Sequence, residues 1–279
     1  MPASLAVSIV THAPDWRLLA RALASLAEAV AVARARGSLE SASLLLVDNG
    51  PEGLAQTLRS LAEAAFARAP GTALEVISGH GNVGFGRGHN LALARSRGEC
   101  HLVLNPDVEL DVDAIDAGLR YLGEHPEVGA LTPSVRNAEG LRQYLVKAYP
   151  SVDVLVLRGF VPRVLHGPFR RSLDAYELRG LDWDREQVPV TLASGCFLLC
   201  RRASLEAVRG FDPSFFLYFE DFDLTLRLSR VSRIAYCPDV RILHHGGEAA
   251  SKGWRHIRLF LASARRFFSR HGWRWRQAR

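Results

Sequence analysis

Nowhere in this 279-residue chain does an apolar run approach the roughly 20 residues that a bilayer-crossing helix needs. The opening residues MPASLAVSIVTHAP lack the basic start and long apolar core of a secretory leader, and they read as a first strand instead. Cysteine is sparse. Cys100, Cys196, Cys200 and Cys237 include no CxxC pair, the middle two being spaced as GCFLLC, so a zinc site is not indicated. Buried free thiols in a reducing cytosol are expected. Internal repeats and low-complexity tracts are missing as well, which argues against a solenoid or a largely disordered chain. What is abundant is apolar side chain, 48% of residues, beside an ordinary 23% charged. That supports a full core, as one large α/β domain or two closely packed halves. Lys and Arg number 35 against 29 Asp and Glu, a surplus of six positive charges. Such a balance suits anionic partners, whether nucleotides, phosphorylated lipids, membrane surfaces or nucleic acid, and does not choose among them.

Short apolar runs alternate with helical periodicity through the first half. Leu5 to Val10, Leu44 to Val47, Leu74 to Ser78 and His101 to Leu104 read as strands. Leu19, Leu23, Leu26 and Val30 mark a helix from Trp16 to Ala35, and further helices are expected over Leu54 to Arg68 and near His89 to Arg97. Strand–helix alternation implies a mainly parallel sheet with right-handed crossovers, whose ligands sit beyond the carboxyl ends of the strands. Thr11 and His12, Asp48 and Asn49, and Asn105 and Asp107 all fall at that edge. Residues 140 to 190 show no clear period and are expected to include a mobile segment. Beyond them the pattern gives an apolar stretch over Val190 to Arg201, short helices over Ala203 to Arg209 and Asp221 to Arg230, and one or two strands over Ile234 to Leu243.

Four polar sets can carry chemistry. Asn105-Pro106-Asp107 ends a strand, where one carboxylate suffices to hold a divalent cation against a diphosphate, although Asn-Pro-Asp also suits a plain turn. Gly79 to Asn90, GHGNVGFGRGHN, contains GxGxxG between a strand and a helix, the setting of a phosphate-cradling loop. It follows the third strand rather than the first, and Asn82, Arg87, His89 and Asn90 make it polar, so a nucleotide-linked substrate fits better than NAD. Glu220, Asp221 and Asp223 lie in the apolar setting FFLYFEDF, which raises a carboxyl pKa toward that of a general base; an acidic helix cap is the plainer alternative. His244-His245 ends an apolar run before Gly246-Gly247, where an imidazole can ligate a metal or serve structure alone.

These sets, in this order, resemble the family 2 glycosyltransferases of GT-A fold, and within them the rhamnosyltransferase-like branch. The residues that carry the resemblance are VSIVTH (7–12), LLLVDNG (44–50), GNVGFGRGHN (81–90), LNPDVEL (104–110), SGCFLLCRR (194–202), GFDPSFFLYFEDFDLTLRL (210–228) and the final HHGG, spanning about residues 4 to 250. The resemblance implies a Rossmann-like, mainly parallel sheet flanked by helices. It implies one domain over 1–250, with a nucleotide-sugar half (1–110) and an acceptor half (111–250), followed by a helix and tail over 251–279. It places Thr11 and Asp48 on the nucleotide, and Asn82, Arg87, Asn90 and Asn105 around the donor. Asp107 and His244 (or His245 in its place) become ligands of Mg²⁺ or Mn²⁺, Asp221 the general base and Glu220 its support. Asn105 stands where the family's DxD-type motif has its first acid, so the cation has one charge fewer to hold it. The reaction implied is inverting transfer from a dTDP- or UDP-linked sugar, L-rhamnose from dTDP-rhamnose being the candidate donor, to a glycan or lipid-linked acceptor, with no nucleic acid involved.

At the end of the chain Trp254, Ile257, Leu261, Ala264 and Phe268 recur at helical spacing among Arg255, Arg258, Arg265, Arg266 and Arg270, with Trp273 and Trp275 beyond. A basic amphipathic helix of this kind lies on anionic membranes or packs its apolar stripe on the domain. The expected location is cytoplasmic, peripheral on the inner face of the cell membrane. Two other readings stand beside the transferase: an NAD-dependent oxidoreductase using GxGxxG, and a catalytically inactive glycan-binding module on the same fold.

Overall fold

The computed structural model of the chain describes residues 3–51, 53–246 and 253–277. Gly247 and the expected boundary at 250/251 lie outside the described residues. In order, the first half contains β1 (Ala3–Thr11), α1 (Trp16–Ala35), β2 (Leu39–Asp48), α2 (Ala55–Phe66), β3 (Ala73–Ile77), α3 (Phe85–Arg95) and β4 (Cys100–Leu104). Next come β5 (Val108–Leu110), α4 (Ala114–Glu124), β6 (Val128–Arg136), β7 (Val146–Lys147), α5 (Val152–Phe160), two 3₁₀ turns (Arg163–Leu165 and Gly167–Phe169) and α6 (Arg170–Tyr176). The chain continues through β8 (Leu192–Ala193), β9 (Phe197–Arg201), α7 (Arg202–Ala207), α8 (Glu220–Leu228), β10 (Arg233–His244) and α9 (Gly253–His271).

β1 is buried from Leu5 through Thr11, as a strand covered on both faces must be. It lies in the middle of an eight-stranded sheet of order β3-β2-β1-β4-β9-β6-β10-β5. β3, β2, β1 and β4 run parallel. β9 is antiparallel to both β4 and β6, and β10 is parallel to β6. One consequence positions the site: the carboxyl ends of β1, β2, β4, β6 and β10 and the start of β9 share one edge. The mainly parallel sheet flanked by helices is therefore present, with antiparallel strands at β9 and β5. Because β9 lies between β4 and β6, the two expected halves share one continuous sheet.

Several expectations are corrected. α3 begins at Phe85, four residues before the expected start, because Gly84 (φ 90°) turns the chain and the Phe85 amide donates to Phe216 O at 3.1 Å. Glycine lowers helix propensity and hid this first turn. Here small size is required: a Cβ on Gly86 would stand 2.9 Å from Phe211, and one on Gly88 2.9 Å from Val10. The aperiodic segment 140–190 is built of two short helices, two 3₁₀ turns and a two-residue strand, elements too short to show a period. α9 packs on the domain through Ala264, Phe267 and Phe268, which join Phe215 and Phe219 in one apolar cluster. Trp254 and Leu261, on the same helical stripe, are exposed. All four cysteines are buried free thiols.

Candidate active site

Asp107 and His244 face each other at the shared edge, where β5 returns beside β10 and pairs Val108 with His244. His244 Nε2 stands 3.7 Å from Asp107 Oδ1. The other ring nitrogen, Nδ1, is 2.9 Å from Gln143 Oε1, an acceptor, so Nδ1 carries the proton and Nε2 keeps its lone pair. Burial holds the imidazole below its usual pKa, against the pull of Asp107, which favours the neutral ligand form. Asp107 Oδ1 is buried with no hydrogen-bond partner among the described residues, as is Asn105 Oδ1. His245 points elsewhere, to Glu109, which also pairs with Arg21 at 2.9 Å. No group of three or more His, Cys, Asp or Glu among the described residues forms a closed metal cage. A lone carboxylate and one imidazole, both with free electron pairs, fit a divalent cation that takes its other ligands from phosphate and water.

Gly195 and Cys196 connect this pair to the acidic end of α8. Cys196 O accepts from the Asn105 amide at 2.8 Å, and the Gly195 amide donates to Asp221 Oδ2 at 3.0 Å. One dipeptide thus touches both Asn105 and Asp221. A side chain at Gly195 would meet Asp221 Cβ at 3.2 Å and Phe85 at 3.3 Å, so the contact needs a glycine or a local shift. Asp221 Oδ1 accepts from Phe222 N at 2.8 Å. Burial raises the Asp221 pKa while these amides oppose the rise. Glu220 is buried more deeply, with Oε2 unpartnered among the described residues; burial and the neighbouring Asp221 push it up to about 8. Two backbone amides favour the charged form of Asp221, whereas Glu220 Oε2 has no such donor among the described residues. Asp223 has a different task. It is fully buried, bonded to Arg227 at 2.7 Å and His271 at 2.8 Å.

The turn that delivers Glu220 and Asp221 is strained. Tyr218 (φ 71°) and Phe219 (φ 65°) are both left-handed, a conformation costing a non-glycine residue about 1–3 kcal/mol. α9 holds it. The Tyr218 hydroxyl meets His256 Nδ1 at 2.9 Å, Ser263 Oγ donates to Leu217 O at 2.8 Å, and the Phe219 ring lies 5.2 and 5.3 Å from those of Phe260 and Phe267.

On the other flank, Thr11 and Asp48 are register partners at the ends of β1 and β2, both buried. Asp48 Oδ1 accepts from Gly50 N at 2.9 Å. Asn82 Oδ1 accepts from Gly84 N at 3.0 Å and shapes the glycine loop. Arg87 and Asn90 are directed to the 210–213 turn: Arg87 Nε donates to Pro213 O at 2.6 Å, and Asn90 bonds both the N and O of Phe211. Their side chains brace this loop instead of standing free. The GxGxxG glycines are divided in the same way. Gly79 and Gly81 have open space beside them, and a Cβ on Gly84 would lie 2.3 Å from Phe216 O. What approaches the one crowded glycine is this protein's own backbone.

A family model described as "Glycosyltransferase like family 2" matches residues 7–259, a span that includes Thr11, Asp48, Asn105, Asp107, Glu220, Asp221 and His244. The chain belongs to the family 2 glycosyltransferases. It is 32% identical to N-acetylglucosaminyl-diphospho-decaprenol L-rhamnosyltransferase of Mycobacterium tuberculosis, over 89% of this chain and 78% of that protein. With rhamnosyltransferase WbbL of Escherichia coli it shares 29% over 62% of this chain and 64% of the relative. Among solved structures, mannosyltransferase PcManGT of Pyrobaculum calidifontis, in complex with GDP-Man and Mn²⁺, superposes with a TM-score of 0.62 at 16% identity, over 95% of this chain and 65% of that one. That likeness supports the expected GT-A fold.

Two contributors to this glycosyltransferase site escaped the sequence reading. Gln143, which sets the His244 tautomer, lies in the aperiodic segment with no local signal. Gly246 belongs to the expected HHGG set, but its importance is spatial: a Cβ there would come within 2.2 Å of Asp107 Oδ2 and 3.1 Å of His244 Nε2.

Proposed function

We propose that this glycosyltransferase moves a sugar from a nucleotide diphosphate to a hydroxyl of a lipid-linked glycan precursor by an inverting displacement, with L-rhamnose from a dTDP donor as the leading candidate. The observation that supports the reading is the Gly195–Cys196 dipeptide, whose two adjacent residues bond the Asp221 carboxylate and the Asn105 amide at the end of β4. Thr11 and Asp48 would meet the base and ribose, and Asn82 and Asn105 the rest of the donor; Arg87 and Asn90 serve the donor pocket through the loop they brace. Asp107 and His244 would hold Mg²⁺ or Mn²⁺, as Mn²⁺ accompanies the donor in the mannosyltransferase structure. A cation there supplies Lewis-acid stabilisation of the departing diphosphate. Asp221 takes the proton of the acceptor hydroxyl, whose oxygen attacks the anomeric carbon from the face opposite the leaving group. Glu220, protonated, keeps a second negative charge away from the base. The lipid-linked acceptor is favoured by the diphospho-decaprenol in the name of the mycobacterial relative. An acceptor of that kind brings the enzyme to the inner face of the membrane, where the exposed Trp254, Leu261, Trp273 and Trp275 and their arginines would meet anionic lipid.

The test is a pair of substitutions. Asp221→Asn keeps nucleotide-sugar binding in a thermal-shift titration and loses transfer by about 10²–10⁴-fold. Asp107→Ala loses the Mn²⁺-dependent part of that binding. Normal turnover by the Asn variant would remove Asp221 as the base.

A further inference from the structure

Around Tyr176, whose phenol feels the charge of Asp221, lies a cluster of cations that the donor chemistry does not use. Lys147 on β7 pairs in register with Leu192, three residues before the Gly195 amide that holds Asp221. Lys147 is 7% exposed, yet its ammonium, with three hydrogens to donate, has one hydrogen-bond partner among the described residues, Glu177 Oε1 at 3.3 Å. Arg158 shares the same oxygen at 3.1 Å, and Arg179 takes Oε2 at 2.7 Å. Three cations therefore converge on one carboxylate. Asp174, the other acid nearby, is shared between Arg170 and Arg179. Lys147 and Arg158 also flank the ring of Tyr176, each 5.4 Å from its centroid, and the charge of Asp221 acts on the Tyr176 phenol. Burial and the neighbouring arginines lower the Lys147 pKa to about 7, a cost that an incoming anion would relieve. Arg158 is 41% exposed and Arg179 48%, so the cluster opens to solvent. Next to it, α5 and the 3₁₀ turns expose Val156, Val164, Leu165 and Phe169, an apolar surface bordered by Arg158 and Arg170.

Resting on the glycosyltransferase reading, we propose that Lys147, Arg158 and Arg179 form the subsite for the diphosphate of a lipid-linked acceptor, with its hydrocarbon chain lying over the exposed Val156, Val164, Leu165 and Phe169. Surplus positive charge beside a surface that is apolar and otherwise uncovered matches a molecule with an anionic head and an apolar tail. The sugar carried on that head then lies toward Asp221.

The experiment compares two acceptors carrying the same sugar, a short-chain prenyl diphosphate and an uncharged alkyl glycoside. The wild type should prefer the diphosphate. Arg158→Gln, at a half-exposed position, should raise KM for the diphosphate acceptor about tenfold or more, leave donor KM unchanged and erase the preference over the neutral glycoside; Arg158→Lys should restore part of it. Lys147→Met should act in the same direction. Direct titration of the prenyl diphosphate sugar, without donor or metal, should show the same loss for Arg158→Gln. A folded Arg158→Gln enzyme with unchanged preference and unchanged affinity would overturn the subsite and leave the transferase reading intact. A wild type that transfers to neither acceptor, while both bind, would sink the transferase reading and this one with it.

Discussion

Substituting Gly246 by alanine tests the Asp107–His244 pair without removing either side chain. The new methyl would lie 2.2 Å from Asp107 Oδ2, where ordinary contact begins near 3.4 Å, so something must withdraw by about 1 Å. The backbone is poorly placed to yield, because Gly246 O and His244 O both accept from Gln143 Nε2 at 3.3 Å and the His245 amide is fixed to Asp107 O at 3.0 Å. The carboxylate gives way instead. Metal–oxygen distances tolerate about 0.2 Å, and a 1 Å misplacement at a reacting centre costs about 10²-fold in rate. Gly246→Ala should therefore lose about 10²-fold in transfer and shift the Mn²⁺ dependence of donor binding to higher concentration. The melting temperature without ligand should change little, since no core packing is removed. Titration calorimetry of nucleotide diphosphate at several Mn²⁺ concentrations, alongside kcat/KM, reads both effects. A folded variant with wild-type Mn²⁺ dependence and wild-type turnover would refute the assignment of this pair to the cation.

Asp223→Asn should cost about 3 kcal/mol, because a fully buried carboxylate paired with Arg227 and His271 is lost, and the melting temperature should fall by roughly 6–12 °C; a change under a degree would contradict the ion cluster. Acid should weaken the fold through His101, which sits at 2.8 Å from Ser8 Oγ with its pKa lowered by burial from 6.5 to about 4. The folded state resists a proton that the unfolded chain accepts, so this contribution is complete above about pH 6.5 and declines by about 3 kcal/mol as pH falls toward 4. Denaturant titrations from pH 7.5 to 4.5 should show a shallower decline in His101→Gln, and equal slopes would exclude the effect. Trp273→Ala combined with Trp275→Ala should reduce sedimentation with vesicles containing anionic lipid while leaving transfer to the soluble alkyl glycoside unchanged; undiminished sedimentation would remove these rings from any membrane contact.

The sheet and the strand-end residues were readable for one physical reason. Parallel strands covered on both faces produce unbroken apolar runs, and the first polar residue after each run must lie at the carboxyl edge, which located Thr11, Asp48 and Asn105. What remained hidden depends on approach through space. Nothing near Gln143 in the chain announces that it orients an imidazole 101 residues later. The braced positions of Arg87 and Asn90 follow from a loop 121 residues or more away, and no helical pattern distinguishes a polar side chain lining a pocket from one supporting its wall. The fate of the C-terminal stripe depended likewise on which apolar surface the domain left open to receive Phe267 and Phe268.

The clamp of α9 on the Leu217–Phe219 turn couples α9 to the position of Glu220 and Asp221. A left-handed pair of aromatic residues relaxes when released, and the Asp221 carboxylate next to it would drift with the relaxation. Proteolytic trimming, a competing protein or harsh detergent that detached this last helix would therefore silence turnover even with the nucleotide pocket intact. Conversely, a contact that pressed the helix home would favour the turn geometry that presents Asp221.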